Sequence, residues 1–134
     1  MTLTLSGRVL VVDDNEDILH AARLLLKRHF AWVQTLSDPG QLASLVRRGG
    51  FDVLLLDMNF SAGADDGSEG LNCLAQVLAI DPQAVVVLIT AHSDVELAVA
   101  AMKKGAADFV LVVRLRHALT MNWDRGFKGV VETY

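Results

Sequence analysis

Three short apolar runs, each closed by a polar side chain, constrain the fold of this 134-residue chain more than any other feature. They end at Asp13 and Asp14, at Asp57, and at Thr90. Apolar runs of this length are typical of strands that are buried on both faces of a parallel sheet. In an open parallel sheet, ligands bind in the crevice outside the carboxyl ends of the strands. The pattern therefore predicts three carboxylates and a hydroxyl at one ligand-binding edge, a combination that favours a divalent metal.

Strand-like and helix-like segments alternate along the chain, which is typical of the α/β class. Five such repeats predict a flavodoxin-like doubly wound sheet of five parallel strands, in the order 2-1-3-4-5, with helices on both faces. The predicted strands span residues 8–12, 32–36, 53–57, 84–90 and 108–113. The predicted helices run from a cap at Asp14 or Asn15 to His29, from Ser37-Asp38-Pro39 to the Gly49-Gly50 stop, from about Gly70 to Ile80, and over residues 95–104 with Gly105 as the cap.

Size and composition predict a single domain over residues 1–134. Hydrophobic residues make up 52% of the sequence, which is enough for a full core. The net charge of −4 comes from interspersed acids and bases, which argues against a nucleic-acid surface and against a polybasic membrane patch. The single cysteine, Cys73, is predicted to be a buried apolar residue. Because the sequence lacks a signal-peptide pattern and a membrane-length apolar run, we expect a cytoplasmic protein.

These motifs resemble those of bacterial response-regulator receiver domains, the phosphoacceptor modules of two-component signalling. The resemblance covers residues 8 to about 113, and four motifs carry it: Asp13-Asp14, Asp57, Thr90-Ala91, and Gly105-Ala106-Ala107-Asp108-Phe109. Each motif is weak alone, whereas their order at successive strand ends is specific. Residues 87–110 are most similar to receivers of sigma-54-dependent enhancer-binding transcriptional activators.

The resemblance implies a phosphoacceptor with a bound metal. Asp57 would be the nucleophile that becomes an aspartyl-phosphate, and it would also contact Mg²⁺. Asp14 would bind Mg²⁺ directly, and Asp13 directly or through water. Asn59 would bind the metal through its backbone carbonyl. Thr90 would donate its hydroxyl to a phosphoryl oxygen.

The resemblance also implies a signalling switch rather than a turnover enzyme. A sensor histidine kinase would supply the phosphoryl group. Phe109 occupies the position of the switch aromatic that couples to Thr90. An output domain would respond and regulate transcription, and in the sigma-54 group AAA+ and DNA-binding domains have this role. We expect a homodimer formed through the fifth strand and its flanking helices, with no direct nucleic-acid or membrane partner.

Two departures from the receiver pattern keep a second hypothesis open. Val112 and Val113 stand where receivers ordinarily have a Lys-Pro pair, so the cation that grips the phosphoryl group is missing. Arg114 is a candidate substitute, because it would share a strand face with Val112. The loop over residues 60–69 is longer than usual, and the tail over residues 114–134 is atypical, with a final helix predicted there. The alternative function is a pseudo-receiver that acts as a phosphorylation-independent interaction module, and a small phosphohydrolase using Asp57 is a third and weaker hypothesis.

Each candidate residue also has an ordinary structural explanation. An Asp at a strand end often caps the next helix, a Thr is a common strand residue, and Phe109 alone is typical of a core. Three acids at matching strand ends favour the functional interpretation over these.

Overall fold

A computed structural model describes residues 7–58, 68–90 and 95–111 of the chain. Within these ranges, strands and helices alternate as the sequence predicts. The strands are β1 (Arg8–Val12), β2 (Trp32–Leu36), β3 (Val53–Asp57), β4 (Val86–Thr90) and β5 (Asp108–Leu111). The helices are α1 (Glu16–Leu26), α2 (Leu42–Arg48, preceded by the 3₁₀ turn Pro39–Gln41), α3 (Ser68–Ile80) and α4 (Val95–Lys103).

The five strands form one parallel sheet in the order β2-β1-β3-β4-β5, which confirms the predicted topology. The register aligns the ends of the two central strands, because Val12 at the end of β1 pairs with Leu56 in β3. Asp13 and Asp57, the next residues on these neighbouring strands, therefore leave the sheet side by side. Adjacent strands lie about 4.8 Å apart, so the topology alone brings the two carboxylates close together.

The sheet has an apolar core on each face, and this explains the unbroken apolar runs. Helix α1 covers one face, and α2, α3 and α4 contribute to the cluster on the other. Alternate residues of each central strand enter opposite clusters: Leu54 packs on the α3 side, whereas Leu55 packs on the α1 side. Both are essentially excluded from solvent, at 3% and 0% exposure. Strands buried on both faces leave no position for the alternating polar residues of a half-exposed strand.

Helix α1 ends at Leu26 rather than at the predicted His29. The amide of Arg28 donates to the carbonyl of Leu25 at 3.3 Å, and that of His29 donates to Leu26 at 2.9 Å. These bonds span three residues rather than four, so the last turn tightens out of α-helical geometry.

Two boundaries near the middle of the chain also differ from the prediction. Helix α3 begins at Ser68, so the first two residues of the helix come from the segment predicted as loop. Strand β4 begins at Val86, because Ala84 belongs to a turn in which its amide donates to the Asp81 carbonyl at 3.0 Å. The carbonyl of Val85, directly before the strand, still accepts a hydrogen bond from the Leu54 amide of β3 at 2.8 Å.

The predicted cap of α4 is confirmed. The helix ends at Lys103, and Gly105 has a φ of 116°, a left-handed conformation that favours glycine. Its amide donates to Met102 and the next amide, of Ala106, donates to Ala101, both at 3.1 Å. This pair of bonds is the Schellman motif, which satisfies carbonyl groups left open at the end of a helix.

Several predictions concern residues outside the described part of the chain: the extension of β5 to residue 113, most of the long loop after β3, and the final helix beyond Arg114. Among the helices that the structure describes, none is long and apolar enough to span a membrane.

Candidate functional site

Three carboxylates meet at the carboxyl edge of the sheet, as the sequence predicts. One oxygen from each of Asp13, Asp14 and Asp57 lies within 4.8 Å of the others. Asp13 is only 4% exposed, Asp57 is half-buried and Asp14 is exposed. The cluster is thus closed on the Asp13 side and open to solvent on the Asp14 side.

The loop after β1 holds Asp13 in place through both its backbone and its side chain. Its amide donates to the carbonyl of Leu36 at 3.1 Å, and its carboxylate accepts a hydrogen bond from the Asn15 amide at 2.9 Å. The Asn15 side chain caps α1 by accepting from the amides of Asp17 and Ile18, at 2.9 and 3.3 Å. Because Asn15 fills the capping position, neither aspartate before it is needed for that purpose.

The end of β3 fixes the third carboxylate. Asp57 is the last residue of the strand and pairs with Ile89 of β4. The next amide, of Met58, donates to the Ile89 carbonyl at 3.1 Å, and the Met58 side chain is fully buried. The first helix that the structure describes after Asp57 is α3, which begins at Ser68.

The electrostatics of the cluster favour a positive ligand. The pKa of the Asp13 carboxyl is raised from 3.8 to about 6, and burial is the largest cause. The hydrogen bond from the Asn15 amide lowers this pKa, and the neighbouring charge of Asp14 raises it. Crowded carboxylates with a raised pKa are relieved by a cation, and hard carboxylate oxygens are the ligands that Mg²⁺ prefers. The donor set of Asp13, Asp14 and Asp57 therefore fits Mg²⁺.

We expect Asp13→Asn to stabilise the metal-free domain above about pH 7 and to lose this advantage below about pH 4. The folded state binds the Asp13 proton more tightly than the unfolded state, with a pKa of about 6 against 3.8. The contribution of this carboxyl to the free energy of unfolding is therefore greatest at low pH and is lost as the pH rises through about 6. Melting temperatures of the two proteins across this range, without metal, measure it. A difference that does not change with pH would contradict the raised pKa.

Of the remaining predicted site residues, the structure describes Thr90 and Phe109. Thr90 is the last residue of β4, and its backbone pairs with Leu111 of β5, so it lies at the same edge of the sheet as the acids. Phe109 in β5 is half-buried and packs against the core on the α3 side. Asn59 and Arg114 lie outside the described residues.

A glycine that the sequence analysis treated as a helix boundary lies next to the site. A Cβ on Gly70 would come within 2.6 Å of the Cα and carbonyl oxygen of Met58, directly after Asp57. The available signal was a glycine within a helical pattern, where alanine is the better helix former. Its partner could not be identified from the sequence, because the contact joins two backbones.

Comparison with known proteins assigns the chain to a family. The sequence profile described as "Response regulator receiver domain" matches residues 9–111, and the chain belongs to this family of signalling domains. The alginate biosynthesis transcriptional regulatory protein AlgB of Pseudomonas aeruginosa is 40% identical over 105 residues, covering 78% of this chain and 22% of that protein. The transcriptional regulatory protein ZraR of Escherichia coli K12 is 35% identical over 105 residues, covering 77% and 22%. This chain thus spans 22% of the length of these relatives.

Solved structures agree with the assignment. The N-terminal signal receiver domain of a two-component system response regulator from Bacteroides fragilis has a TM-score of 0.70 and 43% identity, covering 79% of this chain and 84% of that one. A response regulator receiver domain protein from Clostridium thermocellum has a TM-score of 0.68 and 25% identity, covering 90% and 96%. The prediction of a receiver domain similar to those of sigma-54-dependent transcriptional activators is confirmed.

Proposed function

We propose that this receiver domain accepts a phosphoryl group on Asp57 in a Mg²⁺-dependent reaction and thereby switches an output. The observation that carries the proposal is the gathering of three carboxylates within 4.8 Å at the ligand-binding edge of a receiver fold. Asp57 is the candidate nucleophile because it ends the central strand β3 and is half-buried, whereas Asp13 lies in the deepest part of the cluster.

The residues divide the chemistry between them. A carboxylate oxygen of Asp57 attacks the phosphorus atom, and the bond from phosphorus to the donor breaks as the new one forms. Asp13 and Asp14, with Asp57 and the backbone carbonyl of Asn59, are proposed to hold Mg²⁺. When bound, the metal supplies positive charge beside the phosphoryl oxygens and reduces their repulsion by the acids. Thr90 is proposed to donate its hydroxyl to one of those oxygens.

The partners follow from this reaction. The proposed donor is the phosphohistidine of a sensor histidine kinase, and the proposed product is an aspartyl-phosphate. The domain then alternates between a phosphorylated and an unphosphorylated state, and it acts as a switch rather than as a turnover enzyme. Its relatives AlgB and ZraR are transcriptional regulators of which this chain matches 22%. We therefore propose that residues 1–134 hold a single receiver domain, and that transcription is regulated by an output domain beyond them.

A specific sequence feature supports a second candidate function. Val112 and Val113 replace the ordinary Lys-Pro pair, and a valine cannot neutralise phosphoryl charge. A domain without that cation could retain its acidic cluster while it serves only as a binding module. The two functions differ in whether Asp57 becomes phosphorylated.

Incubation with acetyl phosphate, with and without Mg²⁺, followed by intact mass measurement, tests the proposal. A single phosphoryl adduct that requires Mg²⁺ supports the switch. An unmodified protein in both conditions supports the interaction module. Rapid, repeated consumption of acetyl phosphate without an accumulating adduct supports a phosphohydrolase.

The proposed homodimer uses the face around β5 and α4. Two apolar residues on α4 support it, since Val99 is 46% exposed and Met102 is 38% exposed. We expect fluoroberyllate, a phosphoryl mimic, to shift the domain toward a dimer in light scattering, and Val99→Ser to weaken this shift. Leu24→Ser is the matched control, because Leu24 is 55% exposed on α1, across the sheet from α4. Equal effects of the two variants, or none, would contradict this interface.

A further inference from the structure

Helix α3 touches the end of β3 through a contact between two backbones. A Cβ on Gly70 would lie 2.6 Å from Met58 Cα, 2.6 Å from its carbonyl oxygen and 3.0 Å from its carbonyl carbon. Non-bonded carbon atoms are at their optimal separation at about 3.5 to 4.0 Å, so no side chain fits without movement of one backbone. Gly70 is itself buried, so no solvent-filled space is available on its side of the contact.

Both partners in this contact are held in place, and the helix is held more firmly. Met58 is fully buried, and its amide is bonded to the Ile89 carbonyl at 3.1 Å. Helix α3 is anchored one to two turns further on by Leu74 and Val77, which are 0% and 1% exposed. Moving the helix would unpack these residues, whereas moving Met58 rotates only the peptide units at the end of the strand.

We propose that Gly70 is a positioning residue for the acidic site. Because it has no side chain, α3 can press directly on the Met58 backbone and hold the end of β3, and with it the Asp57 carboxylate, at a fixed distance from Asp13 and Asp14. Glycine is a poorer helix former than alanine, so this contact explains a residue that helix propensity alone disfavours. The inference rests on the proposed function of Asp57.

Gly70→Ala tests the positioning role in two independent ways. In the metal-free protein, we expect the Met58 amide to exchange with deuterium about tenfold faster or more, because the hydrogen bonds at the end of β3 open locally. The exchange of the Leu10 amide in β1 should be unchanged. With Mg²⁺ and acetyl phosphate, we expect Asp57 phosphorylation to slow by roughly 10- to 100-fold, as for other small displacements of reacting groups.

Two control variants separate positioning from general destabilisation. Val77→Ala weakens the packing of the same helix without adding an atom near Met58. Gly40→Ala makes the same chemical change where the nearest atom is an oxygen of the Asp38 side chain at 3.1 Å, and where no backbone atom is among the nearest three. We expect both controls to phosphorylate within about twofold of the wild type at saturating Mg²⁺, since a folded population retains its site geometry.

The outcomes distinguish this inference from the proposed function. If wild type is phosphorylated and Gly70→Ala matches it in both rate and Met58 exchange, the positioning role is overturned and the proposed function stands. If wild type takes no phosphoryl group, the proposed function fails, and the Met58 exchange still decides whether the contact holds the strand end. Should Gly70→Ala not fold, Met58 exchange in Val77→Ala replaces it, because this variant loosens the packing of α3. Faster exchange at Met58 with an unchanged Leu10 amide supports the role, and unchanged exchange at Met58 overturns it.

Discussion

Asp57→Asn is expected to abolish the phosphoryl adduct formed from acetyl phosphate and Mg²⁺. The amide has nearly the shape of the carboxylate but is not a nucleophile at phosphorus, so the covalent step is removed while the packing at the end of β3 is preserved. The substitution also removes one negative charge from a cluster whose oxygens lie within 4.8 Å of one another, so we expect no loss of thermal stability. Intact mass measurement gives the adduct, and a thermal melt gives the stability.

Asp52→Asn is the matched control for this variant. Asp52 lies just before β3, at the opposite edge of the sheet from Asp57, where its carboxylate accepts a hydrogen bond from the Arg8 amide at 2.7 Å. We expect this variant to form the adduct as the wild type does. An adduct that persists in Asp57→Asn would place the phosphoryl group on another residue and contradict the assignment of the nucleophile.

Val112→Lys is expected to speed phosphorylation of Asp57 by an order of magnitude or more. In β5, Leu111 pairs with Thr90, so the strand reaches the edge where the acids gather, and residue 112 follows directly. A lysine there would supply a positive charge to the phosphoryl oxygens, and removal of one such stabilising group typically slows a reaction by about 10²- to 10³-fold. Stopped-flow or mass-spectrometric rates at saturating Mg²⁺ measure the effect.

Two further variants show whether the charge acts at that position. Val113→Lys adds the same charge one residue later, on the opposite strand face if the strand continues, and we expect no acceleration. Arg114→Ala should slow the reaction only if this arginine substitutes for the missing lysine. If Val112→Lys leaves the phosphorylation rate unchanged and Arg114→Ala abolishes phosphorylation, the arginine is the phosphate contact. That result would contradict the hypothesis of a defect at Val112.

The central strands were predictable because they are buried on both faces. The bounds predicted for β1 and β3 agree with the structure, since each run of apolar residues ends where the core ends. The bounds predicted for the edge strand β2 also agree, although it is only partly buried. The helix ends were less predictable, because hydrogen bonds in the turns set them. His29 follows the apolar pattern of α1, yet its amide bonds to Leu26 in a tighter turn.

The residues of the candidate site could be predicted from the sequence, whereas the pKa of Asp13 could not. Strand register brings Asp13 and Asp57 together, and register follows from the apolar pattern. The choice between Asp14 and Asn15 as the α1 cap stayed open in the sequence, and the structure selects Asn15. The raised pKa of Asp13 depends on how deeply neighbouring segments bury it, which no local pattern encodes.

The buried Asp13 carboxylate lowers the stability of the metal-free domain but is needed for the proposed metal site. Its charge is unfavourable in the folded metal-free domain near neutral pH, because the pKa of the group is raised to about 6, so an uncharged residue of similar size would make the protein more heat-resistant. The same change would remove a proposed metal ligand. A laboratory selection for thermostability alone would therefore enrich substitutions at Asp13 and lose Mg²⁺-dependent phosphorylation. Such a trade-off is common where function needs a strained or charged site. Directed evolution of this domain needs a phosphorylation screen in every round.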